Sequence, residues 1–139
     1  MDTLSKRVRV DNLVTPQDVA GAGTVNTNTG MYRNMRLYHT GMVVVTAHLA
    51  NTATAVAQLT QSSAAAAADK ANVTGKTVTL TGTTAVPEQV GTIDFSAADL
   101  AVATPYVGVD ITTDNAGDDV GAVLIRNTAR YQETTMKNE

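Results

Sequence analysis

The stretch Met42-Val-Val-Val-Thr-Ala-His-Leu49 decides how this 139-residue chain is read. Successive side chains of an extended strand point to opposite faces, so Val43, Val45, Ala47 and Leu49 share one face and Val44, Thr46 and His48 the other. One side is wholly apolar and the other mixed, the pattern of a strand with one well-buried face. Asn51 and Thr52 then supply polar turn residues, and a second alternating run covers 53–63, where Ala55, Ala57 and Leu59 oppose Thr54, Val56, Gln58 and Thr60. The two runs are expected to form a hairpin.

Working outward, the same period of two recurs. In Lys76–Gly82, Val78 and Leu80 alternate with Thr77, Thr79 and Thr81, a strand with its threonine side towards solvent. Thr92–Phe95 is a short strand, and Tyr106–Thr113 alternates Val107, Val109 and Ile111 with Gly108, Asp110 and Thr112. Val120–Tyr131 is apolar on both faces as far as Ile125, as a central strand requires. Between them, Ser62-Ser63 before Ala64–Ala68 allow a two-turn helix with a serine cap, read as a surface excursion because so short a helix needs tertiary support. Ser96-Ala-Ala-Asp99 resembles a capping box with Asp in place of Glu and predicts one helical turn. The whole is an all-β, antiparallel β-sandwich or jelly-roll-like domain of about seven short strands. Composition agrees: 23 Thr, 18 Val and 21 Ala supply 62 positions, and branching at Cβ favours a pleated, half-buried surface.

The chain divides by pattern into an extended N-terminal arm, 1–30, and a sandwich domain, 31–139. The arm holds the alternating Arg7-Val8-Arg9-Val10, then Pro16, then a stretch rich in Gly, Asn and Thr from Ala20 to Gly30. Arg7 and Arg9 lie on one side of an extended segment and Val8 and Val10 on the other, which suits addition to an acidic neighbour's sheet edge or groove. A frayed terminus and a solvated charge cluster are the alternatives. Residues 1–40 carry a net +2 and residues 41–139 a net −5, so the body is acidic. Nucleic-acid binding needs clustered Lys and Arg on one face, and that class is excluded for the body.

One Phe, four Tyr and no Trp leave few large side chains to bury, so either neighbours supply further burial in a homo-oligomer or the thin sandwich folds alone. Absence of cysteine removes disulfides and thiolate metal sites. Met1–Ala20 is interrupted by charges and has no apolar stretch suited to a secretory signal, and no run is long enough to span a membrane. His39 and His48 are the only histidines, and no nucleophile elbow, phosphate loop or metal-type histidine spacing accompanies them, so no catalytic residue and no cofactor is expected. The acidic run Asp114–Asp119 lacks the full ligand spacing of a calcium loop and reads as a hairpin turn. Arg126 and Arg130, on one face of the last strand and followed by Tyr131, fit edge-protecting charges or a partner contact.

The order Val56-Ala-Gln-Leu-Thr-Gln-Ser-Ser63, Lys76-Thr-Val-Thr-Leu80, Thr92-Ile-Asp-Phe95, Tyr106–Asn115 and Ala122–Tyr131 resembles small virion proteins of tailed bacteriophages, including capsid decoration or cement proteins. The resemblance covers roughly 32–131 and rests on pattern and order. It implies a β-sandwich that oligomerises on the outer shell, binds the major capsid protein and stabilises the capsid without catalysis, often through a terminal arm. Such a protein is made in the host cytoplasm and resides on the capsid surface. A tail, head-fibre or other surface-appendage module is the alternative. No family site residues transfer, and the Asn/Thr-rich segment 24–29 departs from the pattern.

Overall fold

The structure, a computed structural model, describes residues 8–19, 21–27 and 30–129. These form nine strands: β1 (Val8–Val19), β2 (Gly23–Asn26), β3 (Arg33–Asn34), β4 (Tyr38–His48), β5 (Thr54–Ser62), β6 (Ala71–Thr81), β7 (Glu88–Ser96), β8 (Tyr106–Thr113) and β9 (Asp118–Ala129). Sheet A has the order β1-β9-β4-β7, and sheet B the order β2-β8-β5-β6 with β3 also paired to β8. Every pairing is antiparallel. The chain passes repeatedly from one sheet to the other, and its first strand pairs with its last, which is the winding of a jelly roll.

The core lies between the sheets. Val43, Val45 and Leu49 of the β4 segment and Leu124 of β9 face Leu59, Val107, Val109 and Ile111 of sheet B, all with no exposed surface. Alanines 55, 57 and 122 fill the same layer and keep the sheets close. The one inward phenylalanine, Phe95, is accommodated by Gly41 directly opposite on β4, because a Cβ there would overlap its ring.

Several expectations are corrected. The runs 42–49 and 53–63 do not pair as a hairpin: β4 pairs with β7 and β9, and β5 with β6 and β8. Their apolar faces meet across the core instead, joined by an arch in which the Ala53 N–H donates to the Ala50 carbonyl at 3.0 Å. The acidic turn also links strands of different sheets, β8 and β9, and is therefore an arch as well. The described part of 1–30 is no separate arm. Val8–Val19 is an edge strand of sheet A along β9, and Gly23–Asn26 an edge of sheet B along β8. Leu13, Val14 and Val19 anchor the former in the core, and register shifts around Val14 absorb Pro16. Arg7 lies outside the described residues, as do Arg130 and Tyr131.

No helix forms at 64–68. Ala67 takes φ +55°, a left-handed conformation that ends a helical run, and the Asp69 carboxylate instead accepts from the Ser63 N–H at 3.0 Å and from the Ser62 hydroxyl. At 96–99 the expected turn is present as a single 3-10 turn, Ala97–Asp99, and the Asp99 carboxylate takes the Ser96 N–H at 2.7 Å.

Candidate functional site

The outward face of sheet A is the most distinctive surface of the molecule. Pairing registers place Val10, Ile125, Met42 and Asp94 in one row across all four strands, and Asn12, Val123, Val44 and Thr92 in the next. Val10 is 62% exposed, whereas Met42, Val44, Val123 and Ile125 are half-buried by one another. The face dips into a groove of about 530 Å³ lined chiefly by Val8, Thr40, Met42, Asp94, Ile125 and Asn127. Lys76 reaches over its β7 rim, donating to the Asp94 carbonyl at 3.0 Å and pairing with Asp99 at 3.2 Å. The Ser96 N–H bond, aided by Lys76, holds the Asp99 carboxyl below its ordinary range. Outward aliphatics on a half-solvated antiparallel sheet are unusual where threonine would serve, and they make this face the candidate contact surface.

The sequence-selected segment falls partly here. Val8 lines the groove and Val10 stands exposed beside Ile125, while Arg9 is exposed on the opposite side of β1. The expected alternation is thus present, but it belongs to a strand already paired with β9.

Arg126 is not an edge charge. It shares the inward face of β9 with Leu124 and is 8% exposed. Its Nε donates to Asp11 Oδ2 at 2.9 Å, its Nη2 donates to the same oxygen, and its Nη1 donates to the Asn34 carbonyl at 2.9 Å. The guanidinium carbon lies 4.4 Å from the Tyr38 ring centre, and Arg33 Nε approaches Asp11 Oδ1 at 3.6 Å. This network closes one end of the sandwich, tying β1, β3, β4 and β9 together. Nothing in the local pattern of β9 announced it, because Asp11 and Asn34 are distant in sequence.

The two histidines stand near opposite ends of β4 and do not converge; His48 Nδ1 lies 3.4 Å from Glu88 Oε1. In the acidic turn, Asp114 accepts from the Thr54 N–H at 2.8 Å and hydroxyl at 2.7 Å, bonds that lower its carboxyl pKa. Asp118, 1% exposed, accepts from the Ala50 N–H at 3.0 Å. The turn therefore clasps the arch between β4 and β5. Among the described residues no group of three or more His, Cys, Asp or Glu side chains is gathered to hold a metal ion, and no helix is long and apolar enough to cross a membrane.

No protein-family model matches the chain, and no curated protein matches it in sequence. Solved structures share its fold at low identity. The PBSX exported protein XepA superposes with a TM-score of 0.57 at 7% identity, over 88% of this chain and 38% of that one. The VP2 subviral particle of infectious bursal disease virus gives 0.54 at 9% identity, over 90% and 33%. The top component of cowpea mosaic virus, a naturally occurring empty particle, gives 0.52 at 8% identity, over 87% and 90%. This chain spans roughly a third of the first two, so their likeness is to one region of a larger protein.

Proposed function

We propose that the chain is a structural virion protein of the capsid decoration, or cement, type, which seats on a shell of major capsid protein and stabilises it without chemistry. The observation that carries this reading is the grooved aliphatic face of sheet A, the candidate contact surface on a fold whose solved likenesses include virus particles. A protein that binds only the assembled shell lowers the free energy of that shell relative to its separated subunits, so binding alone is sufficient. The face that carries Val10, Met42 and Ile125 is the shell-facing side.

The test adds purified protein to capsids that lack it and measures their heat resistance. Wild type is expected to bind and raise the disruption temperature. Ile125→Lys, which puts a charge in the groove at little cost to a half-exposed position, is expected to abolish both effects. No binding by wild type sinks the reading. The same groove also fits a module of a tail or head fibre that grips an external ligand; labelled protein found in a few copies at one vertex favours that rival over an icosahedral distribution.

A further inference from the structure

Six large hydrophobic side chains stand exposed among the described residues, and four of them sit at two opposite ends of the β4–β7 strand pair. At the end where β4 begins and β7 finishes, Leu37 is 57% and Val102 96% exposed. They flank a pocket of about 400 Å³ lined by Met35, Ala97, Leu100, Val102 and Pro105, with Arg36 as its one charged group. Arg33, Lys70, Lys76 and Arg126 each have a carboxylate within 4.0 Å, whereas among the described residues the exposed Arg36 guanidinium, like that of Arg9, has none. At the other end, Val86 is 52% and Val90 67% exposed, and between them Glu88 has a side chain 74% exposed. The 11 residues of β4 separate the two ends, roughly 35 Å at about 3.3 Å per residue.

One end is therefore an apolar pocket beside a cation with no described carboxylate partner. The other is a segment with two exposed valines and a carboxylate that has only the exposed His48, at 3.4 Å, across from it. We propose that copies of this chain associate head to tail, the Val86–Val90 segment of one copy entering the pocket of the next with Glu88 against Arg36. Each copy carries both surfaces, so the contact is heterologous and continues into a ring or a filament rather than stopping at a dimer. The inference stands on the two ends of the sandwich and not on the virion reading.

Sedimentation velocity of the full chain over a concentration series tests it. Wild type is expected to form species larger than a dimer as concentration rises. Arg36→Glu and Glu88→Arg each oppose like charges and are expected to weaken association by about tenfold or more. An equimolar mixture of these two variants recovers it, because each then meets its complement at both contacts. Val102→Ser, a neutral change at a nearly fully exposed site, weakens association while leaving the circular dichroism spectrum unchanged. A wild type that remains monomeric, single variants that associate like wild type, or a mixture that shows no recovery would each overturn the proposal.

Discussion

On sheet B the outward rows are mostly polar and bonded to their surroundings, with Val56 their one exposed large aliphatic, whereas on sheet A the central positions of the corresponding rows, Met42, Val44, Val123 and Ile125, are apolar and half-exposed. Thr24 and Thr112 share a hydroxyl contact of 2.8 Å across sheet B, and Asp110 takes Lys70 at 2.8 Å. Gln58 Nε2 donates to the Leu59, Val73 and Lys76 carbonyls at 2.8–3.2 Å. Farther along, Tyr32 lies flat over Gly108 with its hydroxyl 2.8 Å from Thr60 Oγ1, and is 2% exposed. Burial in this roof is the largest cause of its raised pKa. The Gly30 N–H bonds to the Ala65 carbonyl at 2.8 Å, joining the two loops that cover this face. The chain thus covers one face with its own loops and leaves the other uncovered.

Removing the roof should have the largest effect. Tyr32→Ala deletes a buried ring and leaves the Thr60 hydroxyl unpartnered, and is expected to cost about 3–5 kcal/mol in urea unfolding. Met42→Ala, on the open face, removes a half-exposed side chain and should cost about 1 kcal/mol or less. Equal losses at the two positions would erase the contrast between the faces.

A subtler pair of changes adds one methyl group to each face. A Cβ at Gly108 would meet the Tyr32 ring at 2.5–2.8 Å, so Gly108→Ala must displace the roof and is expected to cost roughly 1–3 kcal/mol. A Cβ at Gly121 would first meet Pro16 Cγ and Cα and the Thr46 hydroxyl, at 3.2–3.4 Å, a few tenths of an ångström to be absorbed by an edge strand, and Gly121→Ala should fall below about 1 kcal/mol. Thermal unfolding of the two variants side by side checks the order.

What the sequence reveals of these faces follows from what carries a local signal. Alternation in 42–49 and in 106–113 marks burial correctly because each strand has one fully apolar side, and the two-faced run 120–125 becomes the interior strand β9. Alternation says nothing about which strand is the neighbour, so the two arches read locally as hairpins. β1 escapes notice because Thr15, Pro16, Gln17 and Asp18 are all exposed; only Leu13, Val14 and Val19 turn inward, around an irregular register. Tyr32 and Arg126 are invisible locally for a different reason. Each is buried by partners 28 and 115 positions away, and no periodicity encodes such contacts. The open face could have been found: Val44, Val123 and Ile125 are the apolar residues on the side of their strands that ordinarily faces water.

Acid should separate the faces by the smallest margin. Asp69 fastens the 62–70 loop of the roof, and the Ser62 hydroxyl and Ser63 N–H bonds lower its pKa to about 2 from 3.8. Between those values the unfolded chain binds the proton and the native loop does not, so stability rises with pH in that window. The contribution is complete above about pH 4 and disappears as pH falls towards 2. The Ser63 amide signal is expected to titrate with a midpoint near 2 and to stop responding in Asp69→Asn. Asp99, on the rim of the open groove, is also depressed, and its protonation would release Lys76 from one of its two contacts there. Acid therefore loosens the covered face at its roof and the open face only at its rim. If the Ser63 amide instead titrates near 3.8, Asp69 does not hold the loop, and the cover of sheet B depends on Tyr32 and the Gly30–Ala65 bond alone.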